Sequence, residues 1–183
     1  PPPEVVQAAA EALADVARGL SPRLRRCATG EVWLDVAGVV RLWGSEQRLA
    51  EEVLRRCRRV GLEGGVGVAG SGEVARVAAR MAAGVRERLV VVPPGEERDF
   101  LAPLPLRALD PPPALLAAVQ RWGLTTAGEV AALAREEVAA RLGREGVRLH
   151  RLAAGEEGEV FVPDPLPEEL QEGVALEYPV HSL

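Results

Sequence analysis

The sequence contains no Lys, no Asn and no Ile. These three residues share A/T-rich codons, so their joint absence points to a strongly GC-rich coding sequence. That sets a baseline. Arg standing where a relative has Lys carries no information here, whereas Gly standing where a relative has Lys or Asp does. Cysteine is limited to Cys27 and Cys57, and histidine to His150 and His181. Two distant cysteines make neither a disulfide framework nor a zinc pattern, and two scattered histidines make no metal site. No apolar run reaches the length of a membrane span, and the N-terminus lacks the basic-then-apolar layout of a secretion signal, so a cytoplasmic location is expected. A surplus of basic charge is also missing: the formal net charge is -5. A chain of that balance is not a typical free-standing nucleic-acid binder, so any DNA contact must come from a local basic face or through a partner.

What is present is enough chain, 183 residues, for one ordinary domain or two small ones. Three prolines precede Glu4, a favourable helix start. Val6, Ala9, Leu13, Val16 and Leu20 then recur at helical spacing, and Gly19 and Pro22 stop the helix. Residues 24–27 and 31–36 read as strands around Thr29-Gly30, the second alternating Glu31, Trp33 and Asp35 with Val32, Leu34 and Val36, which predicts one buried face. Ser45 caps a second helix with the stripe Leu49, Val53, Cys57 and Val60. A short buried strand is expected at 65–69. A helix follows over 73–82 with Val74, Val77, Ala78 and Met81 inward, and then a strand over 89–92. This order predicts an α/β layer with helices on a mixed sheet. After Pro93-Pro94 only short helices are signalled, over 114–122, 126–133, 135–142 and 145–153. Beyond Gly155 the chain turns acidic and Pro-rich, a linker that begins another strand at 174–180.

Four stretches in order carry a resemblance. Ala28-Thr29-Gly30-Glu31-Val32-Trp33-Leu34-Asp35 is similar to the palm hairpin Ser-x-Asp-Glu-Ala-aromatic-Leu-Asp of the Y-family translesion DNA polymerases. Val66-Gly67-Val68-Ala69-Gly70-Ser71-Gly72, followed by Ala75-Arg76-Val77-Ala78, resembles that family's Val-Gly-Ile-Ala-x-Asn-Lys strand and its following helix. Trp122-Gly123-Leu124-Thr125-Thr126-Ala127-Gly128-Glu129-Val130 and the run from Leu142-Gly143 to Ala154-Gly155 resemble the thumb. Phe100-Leu101-Ala102-Pro103-Leu104-Pro105 resembles a stretch of the ImuB-like, catalytically inactive branch. The resemblance covers residues 1–163. It implies a partial α/β (α+β) palm over 1–95, an all-helical thumb with helix-hairpin-helix-like elements over 96–158, and an acidic linker over 159–183 leading towards a little-finger domain.

The family joins nucleotides with two metal ions on carboxylates, one Asp from a first strand and an Asp-Glu pair from the hairpin. In this sequence the hairpin Asp position is Gly30, leaving a vestigial Glu31, and the Lys that meets the triphosphate is Gly72. The first Asp strand, the little finger and a clamp-binding peptide have no counterpart in these residues, which read as a fragment or a natural short form. The resemblance thus implies a pseudo-polymerase with no catalytic residue, metal or other cofactor, acting in DNA damage tolerance, translesion synthesis and SOS mutagenesis. Mg²⁺ enters only if the chain is part of an active error-prone polymerase, the alternative. A protein-interaction scaffold without DNA binding is the other rival. The implied partners are primer-template DNA, the sliding clamp, a RecA-like companion and an error-prone replicative-type polymerase, in the nucleoid. Candidate DNA contacts are Arg141, Gly143, Arg144, Gly146, Arg148 and Arg151, with Arg144, Arg148 and Arg151 on one helical face. An ordinary solvated face is the competing reading. The first hairpin, Leu109-Asp110-Pro111-Pro112-Pro113, has prolines without N–H groups and an acidic side chain, and is not expected to clamp phosphate. The group Arg55, Arg56, Arg58 and Arg59 reads as solvated surface. Two minor readings stay open: Asp35 as a metal ligand, and a dinucleotide loop at Gly65-Val66-Gly67 with Gly70.

Overall fold

Proline just inside the first turn and Glu4 against the helix dipole start α1, Pro3–Arg18. The computed structural model describes residues 2–27, 30–156, 158 and 160–165; the strand expected at 174–180 lies outside them. Only the second half of α1 is covered, burying Ala14 and Ala17. Val6, expected inward, is 50% exposed.

Two short strands follow, β1 (Leu24–Arg26) and β2 (Val32–Leu34), paired antiparallel with Arg25 opposite Trp33. A four-residue helix α2, Val40–Trp43, has no periodic signal and was not expected. The Ser45 side chain then accepts from the Arg48 N–H at 3.2 Å and opens α3, Glu46–Arg59. Leu49, Ala50, Leu54 and Cys57 are its buried face; Val60 is the residue after the last turn and swings out to solvent.

The segment β3 (Val66–Val68), α4 (Gly72–Ala83) and β4 (Leu89–Val91) is a right-sized strand, helix, parallel-strand unit. Ser71 caps α4 through the Val74 N–H. Val74, Val77, Ala78 and Ala82 are buried, while Met81 lies at the rim and is exposed. The expected single mixed sheet is instead two separate pairs, β1-β2 and β3-β4. Among the described residues each strand pairs with one other strand. All three residues of β2 and of β3 are half-buried, where one buried face of β2 and a buried β3 were expected.

The remaining elements are helical: α5 (Glu97–Leu101), a 3-10 turn (Leu106–Leu109), α6 (Pro113–Arg121), α7 (Ala127–Ala131) and α8 (Arg135–Ala153). Helix α8 is broken at Gly143, where φ is 61°, so its two limbs correspond to the two helices expected there. Val74 and Val77 of α4 join Leu101, Leu106, Leu109, Leu115, Val119, Val130, Leu149 and Leu152 in one core. The Phe100 to Pro105 stretch threads this core: Leu104 O accepts from Ala127 N at 2.9 Å, and Thr125 O accepts from Leu106 N at 3.0 Å. Thr126 and Glu129 close a capping box on α7 beside it. The start of the linker is docked as well. Asp164 N donates to Leu24 O at 2.7 Å, and Asp164 Oδ2 accepts from Arg26 N at 2.9 Å, covering the outer edge of β1. Those bonds hold the Asp164 carboxyl below its ordinary value, the Arg26 backbone N–H contributing most.

Candidate functional site

The turn between β1 and β2 is drawn tight by Cys27 N donating to Glu31 O at 2.9 Å. Gly30 sits at φ 74°, in the left-handed region, with open space where a side chain would be. Glu31 is not a free carboxylate. Arg80, two turns into α4, donates from Nη2 and Nε to Glu31 Oε1 at 3.1 and 3.3 Å. The same guanidinium donates from Nη1 to Asp110 Oδ2 at 2.8 Å. Arg76, one turn earlier on the same face, stands 3.8 Å from Asp110, and its buried Nε has no hydrogen-bond partner among the described residues. The Arg80 bond, reinforced by the charges of Arg80 and Arg76, holds the Asp110 carboxyl below its ordinary value, and Asp110 in turn raises Arg80. Asp110 is itself at φ 56°, an uncommon conformation for a residue other than glycine. Its carboxylate is turned to Arg76 and Arg80, and prolines, which lack an N–H, follow it.

The space beside Gly72 is filled. A Cβ on Gly72 would lie 2.6 Å from the Trp33 ring. The indole thus lies across the N-terminal end of α4, and Arg25 covers it at 4.4 Å from the ring centroid.

Mg²⁺ needs an octahedral shell of oxygen ligands with one or two carboxylates free to coordinate. A cleft of about 290 Å³ beside Gly30 is lined by Gln7, Glu11, Arg26, Cys27 and Glu31. Its carboxylates are already bonded, Glu11 to Gln7 Nε2 at 2.9 Å and Glu31 to Arg80. Asp35 pairs with Arg23 at 3.0 Å and accepts from Ala37 N, so the reading of Asp35 as a ligand is not supported. Among the described residues no group of three His, Cys, Asp or Glu is placed to hold a metal ion. His150 is buried with Nε2 3.0 Å from Leu133 O, a carbonyl that can only accept, so Nε2 carries the proton and the ring anchors α8. The glycines at 65 and 67 are packing glycines, whereas a side chain at Gly70 would meet the Glu97 carboxylate. A side chain at Gly65 would meet Ala83 N at 2.6 Å, and one at Gly67 would overlap Ala75 O and Ala79 N of α4. They let the helix touch the strand, which removes the dinucleotide-loop reading.

The expected basic cluster is split by the fold. Arg148 Nη2 reaches across to α4 and donates to Glu73 Oε1 at 3.0 Å; Glu73 is buried. Arg151 pairs with Glu156 at 3.3 Å, and Arg135 reaches the same carboxylate. Arg144 is exposed at the Gly143 break, and Arg141 lies over Trp122. Gly146 is required by the break, since a Cβ there would overlap the Leu142 side chain. Arg55 and Arg56 both bond Glu52, and Arg56 also covers Trp43. Sequence reasoning missed Arg80, Arg76, Asp110 and Glu73. The spacing of Arg76 and Arg80 on one face of the expected 73–82 helix was the available signal; their partners, 30 and 49 residues away from Arg80, gave none.

No family model matches the chain. It is similar to a protein named DNA polymerase IV from Caulobacter vibrioides, 33% identical over 148 residues that make up 79% of this chain and 36% of that protein. Protein ImuB of the same species is 32% identical over 145 residues, 79% of this chain and 31% of that one. DNA polymerase IV of Streptomyces coelicolor is 34% identical over 155 residues, 82% and 32% of the two chains. The chain therefore spans about a third of the length of these relatives. Among solved structures, DinB from Sulfolobus solfataricus matches with a TM-score of 0.70 at 18% identity, covering 86% of this chain and 47% of that one. An insertion ternary complex of Dbh DNA polymerase matches with a TM-score of 0.70 at 19% identity, over 86% and 46% of the two chains. The likeness to both is one of fold. Among the described residues no helix is long and apolar enough to cross a membrane.

Proposed function

We propose, from the premise that this chain is a homologue of the Y-family DNA polymerases, that it is a non-catalytic accessory in DNA damage tolerance. The observation that carries the reading is Arg80. Its guanidinium occupies Glu31, the carboxylate left of the hairpin's Asp-Glu pair, where the family's chemistry needs a divalent ion. Gly30 supplies no ligand beside it, and Trp33 fills the space at Gly72. Codon bias accounts for Arg in place of Lys but not for either glycine.

In this reading 1–95 is a palm remnant, 96–158 a thumb with helix-hairpin-helix-like turns, and 159–183 a linker. The Gly143 to Gly146 turn touches primer-template DNA weakly through Arg144, Arg141 and its own backbone. Arg148 and Arg151 shape that turn through Glu73 and Glu156. The protein works in the cytoplasm at the nucleoid, with the sliding clamp, a RecA-like companion and an error-prone replicative-type polymerase. A primer-extension assay with Mg²⁺ and with Mn²⁺ tests it. No incorporation above the protein-free control is expected, and metal-dependent incorporation would refute the pseudo-enzyme. The rival reading, part of an active error-prone polymerase, draws on the relatives named DNA polymerase IV. It requires the full-length protein to extend primers despite Gly30.

A further inference from the structure

Aromatic side chains are scarce here: three Trp, two Phe and one Tyr. Trp33 is packed on Gly72, and Trp43 is half-buried under Arg56. Trp122 is different, being the aromatic residue among the exposed large hydrophobics, with 40% of its surface in solvent. It does not float. It ends α6, where Gly123 at φ 81° and the bonds from Gly123 N to Gln120 O and Leu124 N to Val119 O fix the turn. The Arg141 guanidinium carbon lies 5.7 Å from its ring centroid, bringing a cation from α8 to an indole on α6. Arg121, next to Trp122 on α6, and Arg144, just past the Gly143 break of α8, are exposed as well.

A rigid, half-exposed indole with a guanidinium over its face has a definite chemistry. The ring stacks the flat face of a nucleobase, whatever its identity, as the guanidinium moves off that face to the adjoining phosphate. A duplex hides base faces inside its stack, so this surface suits an unpaired nucleotide. We propose that Trp122 and Arg141 form a stacking site for an unpaired nucleobase of single-stranded DNA. The inference rests on the DNA-binding part of the proposed function and names the strand state that the thumb surface recognises.

The test compares a thymine-rich single strand with a blunt duplex of equal length, at several salt concentrations. The proteins are the wild type, Trp122→Ala, Trp122→Phe and Arg141→Ala. Trp122→Ala should weaken single-strand binding about tenfold and leave duplex binding unchanged. Trp122→Phe, which keeps a stacking ring, should retain most affinity while losing the tryptophan quenching that the wild type shows on titration. Arg141→Ala should reduce the salt slope by about 0.7 on the single strand. Unchanged single-strand affinity in Trp122→Ala, or equal losses on both DNAs, would overturn the stacking site while leaving DNA binding itself standing. A wild type that binds neither DNA at low salt would remove both.

Discussion

The β1-β2 turn and the Gly143 turn both have arginines beside them, and the fold uses them in opposite ways. At the first, Arg80 bonds Glu31 and Asp110 together, Arg76 leans on Asp110, and Arg23 holds Asp35. At the second, Arg144 is exposed and Arg141 meets only the face of an indole in the contacts observed. A guanidinium already bonded to carboxylates has to break those bonds before it can hold a phosphate, so counting basic residues overstates a binding surface. What separates the two turns is the carboxylates across the fold, which a local reading of either turn does not contain.

The comparison can be broken most severely at its foundation. Gly67→Ala drives a methyl into the α4 backbone and should cost about 3 kcal/mol, lowering the melting temperature by roughly 9 °C; a thermal melt within 1–2 °C (about the error of the measurement) of wild type would mean the strand and helix are not in contact. Next is Arg148→Ala, which leaves the buried Glu73 carboxylate without its partner. We expect about 1.5 kcal/mol after allowing for the exposure of Arg148, seen as an earlier urea midpoint, with little change in DNA affinity. Arg80→Ala should cost about 1 kcal/mol, since its side chain is 38% exposed and solvent screens part of the pairing. Its signature is faster amide exchange at both the β1-β2 turn and residues 109–116, and exchange confined to one of them would mean that Arg80 does not join the two. On the exposed side, Arg144→Ala should weaken duplex binding about fivefold and flatten the salt slope by about 0.9. A larger effect from Arg148→Ala than from Arg144→Ala would reverse the assignment of the two arginines.

The smallest effect is on acid stability. Arg80 depresses the folded pKa of Asp110 below its ordinary 3.8, so the pair's stabilisation is complete above that value and is lost as pH falls through the lower, folded one. Asp110→Asn should therefore lower stability at neutral pH by a few tenths of a kcal/mol and make the melting temperature less sensitive to acid below about pH 4. An unchanged acid limb would assign the sensitivity to the other carboxylates held below their ordinary values, Glu52, Glu129 and Asp164.

Much of the backbone was legible because its signals are local. Ser45 capped α3, Pro3 and Glu4 opened α1, and the glycine at 143 separated the two limbs of α8 where two helices were expected. Errors arose where a periodic stripe ran past the surface beneath it, as at Val6, Val60 and Met81. Helix α2 is too short to show a period. In the candidate site, Gly30 and Gly72 were legible as glycines where the resemblance implies Asp and Lys, a difference that GC-rich coding does not explain because it would turn Lys into Arg. What surrounds them was not. Trp33 reaches Gly72, Arg80 reaches Glu31 and Arg148 reaches Glu73 only after the chain has folded, and none of those pairs is marked by spacing or by residue type.

The two glycines that seat α4 on β3 leave no soft layer between strand and helix. Such a joint behaves like metal on metal, passing any tilt of the strand on without damping. Helix α4 carries Glu73 near one end and Arg76 and Arg80 towards the other, so ties to the hairpin, to Asp110 and to α8 all take their alignment from a single bearing. A disturbance entering at any one of the three would then register at the remaining two.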